Sequence, residues 1–137
     1  MTKTTGSCLC GKVQYHYEGA PVMTGVCHCR DCQKQTGTSF SIIQGVALPA
    51  LQVTGSPKVF ETHGISGGSV QRHFCGDCGS PLYSLVDAMP GVAFLKAGTL
   101  DDVSGLAPQV QLWCATAQPW LTLDPALPKF EYNPPRG

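Results

Sequence analysis

Seven of the eight cysteines of this 137-residue chain fall into three tight groups. Cys8-Leu9-Cys10 is a Cys-x-Cys pair, Cys27-His28-Cys29-Arg30-Asp31-Cys32 is Cys-x-Cys-x2-Cys, and Cys75-Gly76-Asp77-Cys78-Gly79 is Cys-x2-Cys followed by glycine. Glycine lets the backbone turn tightly, so that two sulfurs of such a run face one ion. A structural zinc takes four ligands, and Cys8, Cys10, Cys75 and Cys78 supply four. That site would staple the N-terminal segment to the middle of the chain and add its binding energy to folding.

Cys27, Cys29 and Cys32 then stand apart with three sulfurs. Three protein ligands and an open fourth position are the layout of a catalytic or ligand-binding zinc. The other reading is a second structural zinc, closed by His28, His63, His73 or Cys114. Either way the cofactor expected is two Zn²⁺. Three thiolates on a divalent ion leave a net charge of about −1, which makes it a weaker Lewis acid than one held by neutral imidazoles. Such a site suits holding a thiolate better than making hydroxide. His28 and Arg30 are the candidate catalytic groups, to shuttle a proton or receive a carboxylate.

The remaining reactive or bulky side chains have simpler readings. Cys114 shares the apolar parity of Val110 and Leu112 and is expected to be a buried small hydrophobe. His16 lies at a polar strand position and is expected to face solvent; His63 and His73 flank a hairpin, with surface roles expected for both. Trp120, after Pro119, reads as a core anchor.

The elements that must position these residues read as strands. Val13, Tyr15 and Tyr17 alternate with Lys12, Gln14 and His16, the period of a half-buried strand. Phe40–Leu48, Leu51–Thr54, Pro81–Val86, Val92–Lys96 and Val110–Ala115 are further strand candidates. Val59–His63 and Val70–Phe74 flank a Gly-rich turn and suggest a hairpin. Helix is expected only over Arg30–Thr36, stopped by Gly37, with a weak turn over Leu100–Val103. The Pro-rich C-terminal stretch from Asp124 is expected to pack over the sheet as an extended tail anchored by Phe130 and Tyr132. The fold class is therefore mainly β with little helix.

Composition agrees with one domain over residues 1–137. Charged residues make up 13% and hydrophobic residues 42%, which argues against disorder. Nine basic and nine acidic side chains give a formal net charge of zero, which argues against nucleic acid or an anionic membrane as partner. The N-terminal Met1-Thr2-Lys3-Thr4-Thr5-Gly6 shows no apolar leader, and a cytoplasmic location is expected. In that reducing setting, clustered cysteines read as metal ligands rather than disulfides.

Three runs carry a resemblance: Gly6-Ser7-Cys8-Leu9-Cys10-Gly11-Lys12-Val13, Cys27 through Gly37, and Phe74-Cys75-Gly76-Asp77-Cys78-Gly79-Ser80-Pro81-Leu82. Together they closely resemble the glutathione-dependent formaldehyde-activating enzyme family, or GFA domain, which includes centromere protein V members. The resemblance implies folded-over antiparallel sheets, β-tent-like, stapled by zinc. It implies a structural zinc on Cys8, Cys10, Cys75 and Cys78 and a catalytic zinc on Cys27, Cys29 and Cys32. The implied activity is that of a carbon–sulfur lyase joining glutathione to formaldehyde, or the reverse. Gln111 stands where many members carry a histidine. The alternatives are a related zinc enzyme on another small molecule, or a non-catalytic zinc module that binds a partner.

Overall fold

A computed structural model describes residues 3–64 and 68–133. Its ten strands are β1 (Lys3–Ser7), β2 (Gln14–Glu18), β3 (Met23–Cys27), β4 (Ser41–Ala47), β5 (Leu51–Thr54), β6 (Lys58–His63), β7 (Ser69–Phe74), β8 (Pro81–Val86), β9 (Val92–Lys96) and β10 (Val110–Leu112). They form a three-stranded sheet in the order β1-β2-β5 and a seven-stranded sheet in the order β10-β3-β4-β9-β8-β7-β6. All pairings are antiparallel except β10 with β3, so the larger sheet is mixed rather than wholly antiparallel. No helix among the described residues is long and apolar enough to cross a membrane.

The core lies where the two sheets face each other. Val13, Tyr15, Tyr17 and Leu51 of the small sheet and its approach meet Val46, Tyr83, Ala93 and Leu95 of the large one. Each fully buried aliphatic side chain here contributes on the order of 2 kcal/mol. The alternation of residues 13–17 survives in space: Val13, Tyr15 and Tyr17 are buried, Lys12 and Gln14 exposed. Both tyrosine hydroxyls are satisfied, Tyr15 by Thr99 Oγ1 at 2.7 Å and Tyr17 by Gln44 Oε1 at 2.6 Å. His16 does not face solvent freely. It is half-buried, and its Nδ1 is enclosed without a partner among the described residues.

The opposite face of the large sheet carries a polar band. Registered partners run Phe60, Arg72, Ser84, Phe94 across β6, β7, β8 and β9. Lys96 shares that face, its partner is Ile43, and two residues from Ile43 Ser41 pairs with Cys27. This face carries buried Arg72, Ser84, Lys96, Ser41 and Cys27 in one band.

The helix α1 (Arg30–Thr36) forms where expected. Cys29 caps it, its Sγ accepting from Cys32 N at 3.3 Å, and Gly37 ends it in the left-handed region with its N–H on Gln33 O. The hairpin also forms, β6 pairing β7 from His63–Ser69 to Lys58–Phe74; the turn residues 65–67 lie outside the described residues.

Several expectations are corrected. β1 and β3 are strands without a legible pattern, β1 being a polar run and β3 buried on both faces. The turn near Leu100–Val103 is a 3₁₀ turn three residues earlier, Ala97–Thr99, and Leu100 instead bridges Gly6. The strand over Val110–Ala115 stops at Leu112, because Trp113 takes φ 58° and Cys114–Thr116 forms a 3₁₀ turn. Cys114 is consequently only half-buried, its N–H bonded to Phe130 O. Trp120 is 69% exposed, its indole bonded to Gln118, and is no core anchor. The tail lies along β10 rather than over a sheet face: Gln111 N donates to Pro128 O and Phe130 N to Gln111 O. Phe130 is half-buried, and Tyr132, though 52% exposed, packs edge-on against Trp113. Residues 134–137 of the tail lie outside the described residues.

Gly55 illustrates how tightly the small sheet meets the first cysteine turn. Its φ is +98°, and a Cβ there would sit 2.4 Å from the backbone oxygen of Lys12. Gly55→Ala is expected to cost about 2 kcal/mol or more and to lower the melting temperature on the order of 5–10 °C. An unchanged melting temperature would show that this contact relaxes freely.

Candidate functional site

Two turns of similar construction bring the first four cysteines together. Cys8-Leu9-Cys10 follows β1 and closes with Gly11 N on Cys8 O, Gly11 having φ +79°. Cys75 to Cys78 follows β7 and closes with Gly79 N on Cys75 O, Gly79 having φ +82°. A left-handed glycine one residue after the last cysteine thus ends each turn. The four sulfurs lie within 4.8 Å of one another. Cys8 and Cys10 are 3.6 Å apart, and Cys10 and Cys75 are 3.7 Å apart. Four sulfurs at about 2.3 Å from a tetrahedral zinc are separated by about 3.8 Å, so the set fits such an ion.

Neutral donors surround this cluster. Val13 N donates to Cys8 Sγ at 3.3 Å, and Ser80 Oγ lies 3.3 Å from Cys78 Sγ. Hydrogen bonds from the hydroxyl and the backbone N–H of Ser80, with that of Cys10, bring the Cys78 thiol down to about 5. Cys10, despite a backbone N–H from Lys12, is pushed up to about 12 by lost solvation and by the neighbouring thiols. The uneven sharing of protons is what crowded sulfurs show, since they cannot all be anionic side by side.

The second cluster joins the end of one strand to the start of the helix. Cys27 ends β3, Cys29 caps α1 and Cys32 lies in its first turn. Their sulfurs lie within 4.8 Å of one another, with Cys27 and Cys32 buried and Cys29 half-buried. Gln33, itself buried, fastens the loop: its Nε2 donates to His28 O at 2.7 Å and Thr116 O at 3.1 Å, and its Oε1 accepts from Arg30 and Gln118.

Two buried cations touch this cluster, and neither stands near it in sequence. Lys96 Nζ lies 3.8 Å from Cys32 Sγ and donates to Ser41 Oγ at 3.1 Å. Arg72 Nη1 lies 4.0 Å from the same sulfur and donates to Gln35 Oε1 at 2.9 Å. Arg72 Nε meets Thr62 Oγ1, and Nη2 lies 4.0 Å from the exposed carboxylate of Asp31. Cys32 is held well below the ordinary thiol range, first by hydrogen bonds from Cys27 and Cys29, then by Lys96 and Arg72, against its burial. Cys27 is pushed far up by its bonds to Cys29 and Cys32 and by burial.

The histidines named as possible fourth ligands go elsewhere. His28 is 1% exposed, and its Nε2 bonds Gln111 Oε1 at 2.7 Å. Gln111 is buried on β10, where it holds this imidazole. His73 stacks on Tyr83 with ring centroids 4.3 Å apart, and exposed His63 lies 3.8 Å from Glu61. None of these three histidines, nor Cys114, belongs to the sulfur cluster among the described residues. Arg30 is exposed and bonded to Gln33. Arg72 and Lys96 are the site residues that spacing did not reveal. Their signal was a cation at a strand position whose parity matches apolar, half-buried neighbours, Val70 and Phe74 around Arg72 and Phe94 beside Lys96.

Fold and sites together define a mainly β protein built around two cysteine clusters that can each hold a metal ion. The family model described as glutathione-dependent formaldehyde-activating enzyme matches residues 3–116, and the chain belongs to this family. A crystal structure of a Rhodobacter sphaeroides protein is similar in fold, with a TM-score of 0.60 and 21% identity over 76% of this chain and 97% of that one. No curated protein is significantly similar to the chain.

The sulfur geometry leads to a direct expectation. Protein purified without chelator should carry two equivalents of a thiophilic divalent metal by elemental analysis. One equivalent or none would mean that the second sulfur set does not hold an ion.

Proposed function

We propose that this protein is a zinc-dependent carbon–sulfur lyase that forms or breaks the adduct of a thiol and an aldehyde, as in S-hydroxymethylglutathione. Family membership supports the reaction class, and the observation that carries the reading is the pair of buried cations against Cys32. Zinc on Cys27, Cys29 and Cys32 would supply a fourth position at which a thiolate is held and kept anionic. Lys96 and Arg72 oppose the negative charge of the sulfur set, so a further anion there is not repelled as it would be beside three thiolates alone.

In the forward direction a sulfur–carbon bond forms, the carbonyl π electrons move to oxygen, and the thiol proton ends on that oxygen. Lys96 Nζ and Ser41 Oγ form the donor pair for that oxygen, holding charge on it until the proton arrives. Both are buried, so their hydrogen bonds act without competition from water. Arg72, tied to Thr62, Gln35 and Asp31, is rigid and acts as a fixed charge rather than a proton carrier. His28 and Gln33 hold the loop that presents the cysteines. The four-cysteine cluster is then the structural site, joining the end of β1 to the end of β7.

The two clusters should respond differently to loss of a ligand. Cys75→Ala is expected to unfold or aggregate the protein, because it forfeits metal-coupled folding energy. Cys29→Ala should leave a folded protein without lyase activity, its melting curve lowered by about 1 kcal/mol for the lost helix cap. The reverse pattern of melting curves would exchange the structural and catalytic assignments.

The thiol reading is tested on cobalt-substituted protein, whose thiolate charge-transfer absorption grows with each added sulfur. Millimolar glutathione should intensify those bands in the wild type. Lys96→Met should weaken that response roughly tenfold, since a charge-assisted contact of this kind is worth about 1.5 kcal/mol. The same preparation with zinc should accelerate adduct formation from glutathione and formaldehyde. Bands that ignore thiols, in protein shown to bind cobalt, would exclude thiolate capture at this cluster.

A further inference from the structure

The edges of the two sheets are treated unequally. The tail lies along β10, with Gln111 N on Pro128 O and Phe130 N on Gln111 O. Leu100 and Asp101 lie along β1, Leu100 bridging Gly6 and Asp101 N donating to Thr5 O. β5 is only four residues long. β6 is the remaining edge, six residues in unbroken register with β7 and with no strand on its other side among the described residues. It carries Val59 at 51% and Phe60 at 63% exposure. A bare apolar edge is a template for another strand, and proteins otherwise blunt it with short length, proline, a bulge or a covering segment. We propose that β6 pairs antiparallel with β6 of a second copy of this chain, with Phe60 on the two-fold axis. This pairing is independent of the reaction assigned to the sulfur cluster.

The backbone sets which groups are free. Gly64 N bonds Gly68 O just beyond β6, and Asp87 N bonds Ser69 O on the far side of β7. Antiparallel ladders alternate, so Lys58, Phe60 and Thr62 turn their backbone groups toward β7, while Val59, Glu61 and His63 turn theirs outward. A two-fold axis normal to the sheet keeps like faces together, so each residue meets one of its own parity. With Phe60 opposite the partner subunit's Phe60, Val59 exchanges both backbone bonds with the partner's Glu61, and Glu61 with the partner's Val59. The two phenylalanines then occupy a non-hydrogen-bonded position, where cross-strand side chains approach closest.

Charge and proline select this register. Sliding the strands by two residues one way sets Glu61 against the partner's Glu61, and like charges directly opposite are unfavourable. Sliding them two residues the other way sets Glu61 against the partner's Pro57, which has no N–H to give. The Phe60-centred register opposes no like charges. It joins two seven-stranded sheets into one and leaves both polar bands on the same face. A groove of about 430 Å³ between α1 and β6 is lined by Phe60 and Arg72, and the partner subunit's Phe60 stands beside it at the rim. An interface of two six-residue strands belongs with those below about 1,200 Å², so dimer and monomer exchange, with a dissociation constant on the order of 10–100 μM.

Sedimentation of the metal-loaded chain from about 1 μM to 1 mM should show monomer giving way to dimer. Amide exchange followed by NMR should slow at Val59 and Glu61 as concentration rises, a change that contact through side chains alone does not produce. Phe60→Lys places two ammonium groups face to face on the axis and should weaken the dimer roughly tenfold or more. Val59→Lys sets a lysine against the partner's Glu61, and should keep the dimer within about threefold while making it salt-sensitive. Both side chains are exposed, and melting curves check that the variants remain folded. Should a variant fail to fold, the amide exchange of the wild type decides alone. Monomer throughout the range overturns the proposal, as does a dimer in which Val59 and Glu61 exchange as fast as in the monomer. A dimer that Phe60→Lys leaves intact, or that Val59→Lys weakens as much as Phe60→Lys does, overturns it equally.

Discussion

Sulfurs 3.6 and 3.7 Å apart cannot all be thiolates unless a cation lies among them, and the rest of this structure depends on how that repulsion is met. Cys8 and Cys10 come from the turn after β1, Cys75 and Cys78 from the turn after β7. β1 belongs to the small sheet and β7 to the large one, so any ion that satisfies this cluster also fixes one sheet against the other. The tyrosines of β2 then seal the interface from the inside, their hydroxyls reaching Thr99 and Gln44. A metal ion bound there would therefore couple to the packing of the core between the sheets.

That arrangement leaves the two faces of the large sheet with opposite tasks. The inner face is apolar and closes on the small sheet. The outer face holds Cys27, Ser41, Lys96, Ser84 and Arg72 on adjacent strands. Burying cations on a sheet face is costly unless they are paired, and here they meet a thiol, hydroxyls, an amide and one carboxylate. Ser84 Oγ is enclosed in the same band without a partner among the described residues. A fold optimised for stability alone would place hydrophobes in this band.

The sequence made the ligand sets legible because a cysteine run is local: spacing and glycine turns decide which sulfurs can meet. The helix after Cys29 was legible for the same reason, its cap and its stop, Gly37, both being in the run. Residues 13–17 were legible through alternation. What stayed hidden was non-local. Arg72 and Lys96 reach Cys32 only because β7 and β9 lie on either side of β8 in the sheet, and strand order is not encoded in any one segment. β3 was hidden because both its faces are buried and alternation vanishes. Cys114 and Trp120 were misplaced because Trp113 adopts a left-handed backbone and the tail pairs with β10, and neither event has a local signal.

The two clusters use the same kind of ligand and differ in what surrounds it. Around Cys8 and Cys78 the donors are backbone N–H groups and a serine hydroxyl, all neutral. They soften the charge of the thiolates without inviting another anion, which is what a closed site needs. Around Cys32 the donors are an ammonium and a guanidinium. The second cluster thus meets formal positive charge where the first meets only dipoles. Arg72 also lines the groove between α1 and β6.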